Sequence, residues 1–109
     1  MAWVYSLPMQ LARVCGTVWA TRKVESLDGL RLQILAQLGP DLKETGVSVV
    51  AADAVGAGAG DLVLYATGSS ARQTKSTENR PVDAVILAIV DAFDIEGKVV
   101  FQKGGKGDR

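Results

Sequence analysis

Apolar residues in this chain come in short runs, and each run is closed by glycine, proline or a polar cluster before it could wind into a long helix. This punctuation constrains the fold more than any other feature. A helix needs sustained 3.6-residue periodicity, whereas a strand needs only about four to eight alternating or continuously apolar residues. Leu11 to Trp19 is rich in β-branched residues and holds Gly16, and its alternation slips near Arg13. A glycine inside such a run predicts a bulge or a close backbone approach. Val47 to Val55, a run of small residues and valine, reads as a strand. Asp61 to Thr67 reads as another, with Leu62, Leu64 and Ala66 on the face opposite Val63 and Tyr65. Gly56-Ala57-Gly58-Ala59-Gly60 joins them as a flexible turn. Val82 to Phe93 is the most apolar run and reads as one central strand, and a turn over Ile95-Glu96-Gly97-Lys98 leads into a short last strand at Val99 to Phe101.

One segment stays ambiguous. Leu30, Leu32, Ile34, Ala36 and Leu38 alternate with Arg31, Gln33 and Gln37, which is a strand pattern with Leu35 as the exception. The composition favours helix, and Leu30, Ile34 and Leu38 also fall at helical spacing. Gly39-Pro40 ends the segment in either case. Ser69 or Ser70 is placed to cap a single helical turn over Ala71 to Thr74. The sum is a mainly β chain, a small barrel or sandwich of five or six strands with little helix. A closed barrel is one way for so small a sheet to avoid exposed edges. The 109 residues fit one domain, spanning 9–102, with an extension over 1–8 and a Gly/Lys-rich flexible tail over 103–109.

Composition removes several function classes. The chain has no histidine, so the commonest general base, the commonest metal ligand and every Ser-His or Cys-His arrangement are missing. Its single cysteine, Cys15, allows neither an internal disulfide nor a multi-cysteine metal site, and points to a reduced, cytoplasmic setting. Beside Gly16, Cys15 reads as a buried small hydrophobe. Twelve basic residues balance twelve acidic ones, which gives no general pull on nucleic acid or anionic membrane. No stretch approaches the apolar length of a membrane span, and the first eight residues lack the pattern of a signal peptide. No cofactor is expected.

The candidate sites have plain structural readings. The Gly56 to Gly60 loop lacks the Lys-Ser/Thr ending of a phosphate loop, which leaves a tight turn. Ser69, Ser70 and Arg72 follow Gly68 and suit an anion, a helix cap or a contact with a neighbouring chain. Asp53, Asp61, Asp83 and Asp91 form no clustered metal motif and read as structural hydrogen-bonding groups. Trp19 and Tyr65 read as core or interface aromatics. Arg72, Lys75 and Arg80 make a locally basic loop.

Three stretches together resemble one family. They are Met9-Gln10-Leu11-Ala12-Arg13-Val14-Cys15-Gly16-Thr17-Val18-Trp19-Ala20-Thr21-Arg22-Lys23; Ala52-Asp53-Ala54-Val55-Gly56-Ala57-Gly58-Ala59-Gly60-Asp61-Leu62-Val63-Leu64; and Gly68-Ser69-Ser70-Ala71-Arg72-Gln73 followed by Pro81 to Asp91. Their order and spacing are similar to the EutN/CcmL family of bacterial microcompartment vertex proteins, from about Met9 to Phe101. The resemblance implies a five-stranded OB-like β-barrel with one short helix, forming a pentamer. It also implies a structural role in place of an enzymatic one: a pentagonal vertex that closes a shell of hexameric proteins in the cytoplasm. On that reading Asp53, Gly56, Gly58 and Gly60 shape a subunit interface, and Ser69, Ser70 and Arg72 sit near a subunit contact or the pore. Residues 1–8 precede the family's usual start, and Asp61 stands where glutamate is frequent. Ala88 replaces a frequent glycine, and the ending Glu96 to Phe101 looks closer to members from catabolic compartments than to those from carboxysomes. The alternative is an OB-like module for single-stranded nucleic acid or a small ligand. Such modules need a basic groove with exposed aromatics, which this composition does not favour.

Overall fold

The computed structural model describes residues 9–19, 29–68 and 83–103. Seven strands follow in chain order: β1 Met9–Val18, β2 Leu32–Leu38, β3 Glu44–Asp53, β4 Leu62–Thr67, β5 Ala84–Ile89, β6 Ala92–Ile95 and β7 Lys98–Gln102. The first five close into a barrel in the order β1-β2-β3-β5-β4, and β6 and β7 form a separate two-stranded sheet. The expected mainly β, five-stranded barrel is therefore present. The expected helical turn over 71–74 lies outside the described residues.

Closure is antiparallel except between β3 and β5, which run parallel and meet only at Ala52–Val85 and Asp53–Ile86. Alternation sends Ala12, Val14, Leu35, Ala51, Val63, Tyr65, Ala84 and Ile86 into one buried core, with Val49 and Ile89 packed against it. Each large side chain of this kind contributes on the order of 1.5–3 kcal/mol when fully buried. The β1–β2 register shifts between Val14 and Gly16, which leaves Cys15 as the extra residue of a bulge. The glycine thus marked the bulge correctly. Cys15 itself is exposed, contrary to the expectation of a buried thiol, because the bulge turns it out of the barrel.

The segment that sequence left ambiguous is strand β2, and its sidedness is the reverse of what an apolar stripe suggests. Gln33 and Leu35 are fully buried inside the barrel, while Leu32, Ile34 and Ala36 lie on its outer side and are half-buried. Leu35, the exception to the alternation, is the core residue of the strand. Gln33 is tolerated inside because its amide is saturated. It accepts from Thr17 Oγ1 at 2.8 Å and donates to the Ala57 carbonyl at 2.7 Å and to Asp53 Oδ2 at 3.2 Å. At the other end of the barrel Tyr65 donates to Gln10 Oε1 at 3.0 Å and accepts from Gln37 at 2.9 Å, and Gln37 also donates to Gln10. Thr45 completes that group by donating to Gln37 Oε1 at 2.8 Å.

The long apolar run Val82 to Phe93 is not one strand. β5 ends at Ile89, and the chain leaves the barrel at Val90 and Asp91 to begin β6. Val90 N–H still donates to the Leu62 carbonyl at 2.8 Å, which ties the start of the hairpin to the barrel, and Lys103 N–H donates to the Asp91 carbonyl at 2.7 Å, which closes the hairpin's open end. Phe93 and Phe101 stack with ring centroids 6.3 Å apart. Phe101 packs with Leu38 and Leu62 on the outside of the barrel. A continuous apolar run contains no signal for the point at which the chain leaves one buried sheet to cover it with another. The last strand, expected at Val99 to Phe101, spans Lys98–Gln102 around a tight turn in which Glu96 and Gly97 both take positive φ.

Candidate assembly interface

The connection from β3 to β4 is held by hydrogen bonds along its length. Asp53 ends β3, and its Oδ1 accepts from the Val55 and Gly56 N–H groups at 3.0 and 2.9 Å. Its other oxygen takes the Gln33 amide. Asp61 closes the loop from the far side, with Oδ2 accepting from Gly58 N–H at 2.9 Å. Both aspartates therefore bond backbone N–H groups two to three residues away, the local pattern that stabilises turns. Gly56 and Gly60 sit at φ 81° and 87°, a region open to glycine and strained for other residues. Gly60 N–H donates to the Val14 carbonyl at 2.8 Å, and Arg13 Nη1 donates to the Gly60 carbonyl at 2.8 Å. Ala57 is fully buried against the barrel core. The turn expected to be flexible is thus tied at both ends and plugged in the middle.

The structural reading of Asp53 and Asp61 agrees with these bonds. Asp61 also faces Lys103 Nζ at 3.6 Å, a half-exposed pair of little energetic weight. The Asp91 carbonyl accepts from the N–H of the same Lys103 at 2.7 Å. The Asp83 carbonyl accepts from Gly68 N–H at 2.9 Å, where β4 and β5 meet. Ser69, Ser70 and Arg72 lie outside the described residues, as do Lys75 and Arg80. Sequence reasoning missed Gln33 and Arg13 as supports of the loop. Gln33 carried a signal, a glutamine beside the exceptional Leu35, but only the three-dimensional register shows that it points inward.

What the loop offers outward is shape and apolar surface. Val55 is exposed at its crest, and Trp19, Val47, Val50, Ile95 and Val99 are exposed elsewhere on the described surface. Tyr65 is a core residue as expected, while Trp19 is 89% exposed and belongs to no core cluster among the described residues. No group of three or more acidic or cysteine side chains suited to a metal converges among the described residues.

A family model described as ethanolamine utilisation protein EutN/carboxysome matches residues 9–91. The chain belongs to the EutN/CcmL family. The carboxysome shell vertex protein CcmL of Synechococcus elongatus is 42% identical over 98 residues, covering 87% of this chain and 96% of that protein. The structure of Gloeobacter violaceus CcmL superposes with a TM-score of 0.82 at 37% identity, over 86% of this chain and 97% of that one. The GrpN pentameric microcompartment shell protein of Rhodospirillum rubrum aligns with a TM-score of 0.69 at 40% identity, over 79% of this chain and 96% of that one. EutN/CcmL relatives named for carboxysomes and relatives named for other microcompartments both appear at similar identity, so identity lends no weight to the catabolic affinity of the ending. The family consists of structural shell proteins, in agreement with the non-enzymatic reading, and the nucleic-acid alternative has no observation behind it.

Proposed function

We propose that this protein forms a pentameric vertex that caps and closes the shell of a bacterial microcompartment in the cytoplasm. The observation that carries the proposal is the match over the whole barrel domain to shell vertex proteins, one of them described as a pentamer. A pentagon solves a geometric problem, since hexagonal tiles alone make a flat sheet. A cyclic ring needs head-to-tail contacts whose rotation closes after a fixed number of subunits, and such contacts demand rigid surfaces. The Asp53–Asp61 loop supports this reading, because its hydrogen bonds hold its outline within one chain and leave Val55 presented. Asp53, Gly56, Gly58 and Gly60 are accordingly assigned to shaping a subunit interface. Ser69, Ser70 and Arg72 are assigned by their sequence motif to a subunit contact or the central opening, and hexameric proteins of the same shell are the outer partners.

Co-expression with a hexameric shell protein from the same bacterium tests the role. Electron microscopy is expected to show closed particles with this chain and open sheets or tubes without it. Particles that close equally well in its absence contradict the proposal. Arg72→Ala is expected to weaken the ring, and an unchanged assembly state removes that residue's assignment.

A further inference from the structure

The outer side of the barrel carries an apolar row that no other described residue covers fully. Gly16, Ile34 and Val50 are cross-strand partners on β1, β2 and β3. On either side of the row along β2, the outer surface is covered from within. Leu32 packs against a cluster of Leu30, Ala52, Ala66 and Val85, and Leu38 packs with Phe101 of the hairpin. Between them Val50 is 54% exposed, and Cys15 is open beside Ile34, its thiol 3.4 Å from the Ile34 carbonyl.

Two further observations point outward from the same place. Gly16 is not required by the chain's own packing. Its φ is ordinary, and a Cβ added there would meet Ile34 at 3.6 and 3.9 Å, normal contact distances. The missing side chain flattens the outer face and nothing else. The second observation is the edge of β3. Its ladder to β5 involves only Ala52 and Asp53, so among the described residues Ser48 to Val50 pair on the β2 side alone, and Thr45 to Val47 fall in a register shift. Natural edge strands are protected by charge, proline or cover. Thr45-Gly46-Val47-Ser48-Val49-Val50 has no charge and no proline, and Val47 is 48% exposed. The next pair along the same face, Ala36–Ser48, is uncharged as well, the composition of the centre of a protein–protein contact.

We infer that the Gly16–Ile34–Val50 row and the open edge of β3 form one half of the contact between neighbouring copies of this chain in the ring. This rests on the pentameric reading above and deepens it by naming the surface. A head-to-tail ring takes two separate patches from every subunit. At about 800 Å² each they occupy roughly a fifth of the surface, which totals 6996 Å² for the isolated chain. A second copy is the occupant because relatives over the same barrel assemble as pentamers. An uncharged strand edge with a flat apolar row beside it gives that contact both backbone pairing and burial.

Cys15, the chain's one cysteine, is a built-in reporter of this surface. Alkylation of the wild-type protein by a maleimide is expected to run at least about tenfold slower in the ring than in protein dissociated by dilution. Val50→Asp is expected to yield a monomer with an unchanged β circular-dichroism spectrum and a reactive Cys15. A wild-type ring whose Cys15 reacts as fast as the monomer's, or a Val50→Asp variant that keeps its ring, overturns the inference and leaves the pentamer intact. A wild-type chain that never forms a ring overturns the pentameric reading, and this inference with it. If Val50→Asp fails to fold, the wild-type labelling rates still decide.

Discussion

The inside of the barrel and the outer row of the same three strands are built on opposite terms. Inside, each polar side chain is saturated by partners in this chain, as Gln33 is by Thr17, Asp53 and Ala57. Outside, Gly16, Ile34 and Val50 are apolar, and the neighbouring stretch of β3 leaves its far edge unpaired among the described residues. Residues one step apart on β2 therefore carry different instructions: Leu35 specifies the fold, and Ile34 serves a surface. The lesson is that alternation along a strand shows that two faces exist without showing which one is the core. In a chain that assembles, the more apolar face can be the outer one.

Substitutions on the two faces test that division. The largest effect is expected from Leu35→Ala, at about 2–5 kcal/mol by the usual cost of truncating a core leucine. Urea unfolding should show it, while Ile34→Ala, measured in dissociated protein, should cost clearly less. Equal costs would erase the distinction between the faces. Next comes Gln33→Leu, which keeps the volume but strands the Thr17 hydroxyl, the Ala57 carbonyl and one Asp53 oxygen. A loss of about 2–3 kcal/mol is expected from unsatisfied buried groups, and a neutral result would show that the inner polar group is dispensable. Asp53→Ala removes the acceptor for Val55 and Gly56 N–H and should cost about 1–2 kcal/mol. Asp53→Asn, which retains an acceptor, should recover part of it in the same thermal-melt assay. The smallest effect separates two glycines. Gly60→Ala should cost about 1 kcal/mol, because its φ of 87° strains a side chain. Gly16→Ala should leave monomer stability within about 0.5 kcal/mol and act on assembly. Gly16→Ala destabilising the monomer as much as Gly60→Ala would contradict the assignment of Gly16 to the outer surface.

Much of the fold was legible in the sequence, for reasons tied to particular residues. Short punctuated runs announced a small β fold, Gly16 announced the bulge, and Leu62 to Ala66 alternated in the sense the structure shows. Three points were not legible. The direction of β2 could not be read, because inward Gln33 is stabilised by partners 16 to 24 residues away in sequence. The break at Val90 was invisible within an unbroken apolar run. Cys15 was misplaced because a bulge reverses the facing of the residue it inserts. The candidate site divides in the same way. The Asp53–Asp61 loop has a motif because its bonds are local. The outer row has none, since its members are joined only across strands and are individually ordinary.

The central claim is that this barrel works as a closed ring. Native mass spectrometry of the wild-type protein at micromolar concentration tests it most directly. The 11.5 kDa chain is expected to appear as a single five-subunit species of about 57.5 kDa. A lone 11.5 kDa species across several salt conditions would contradict the account.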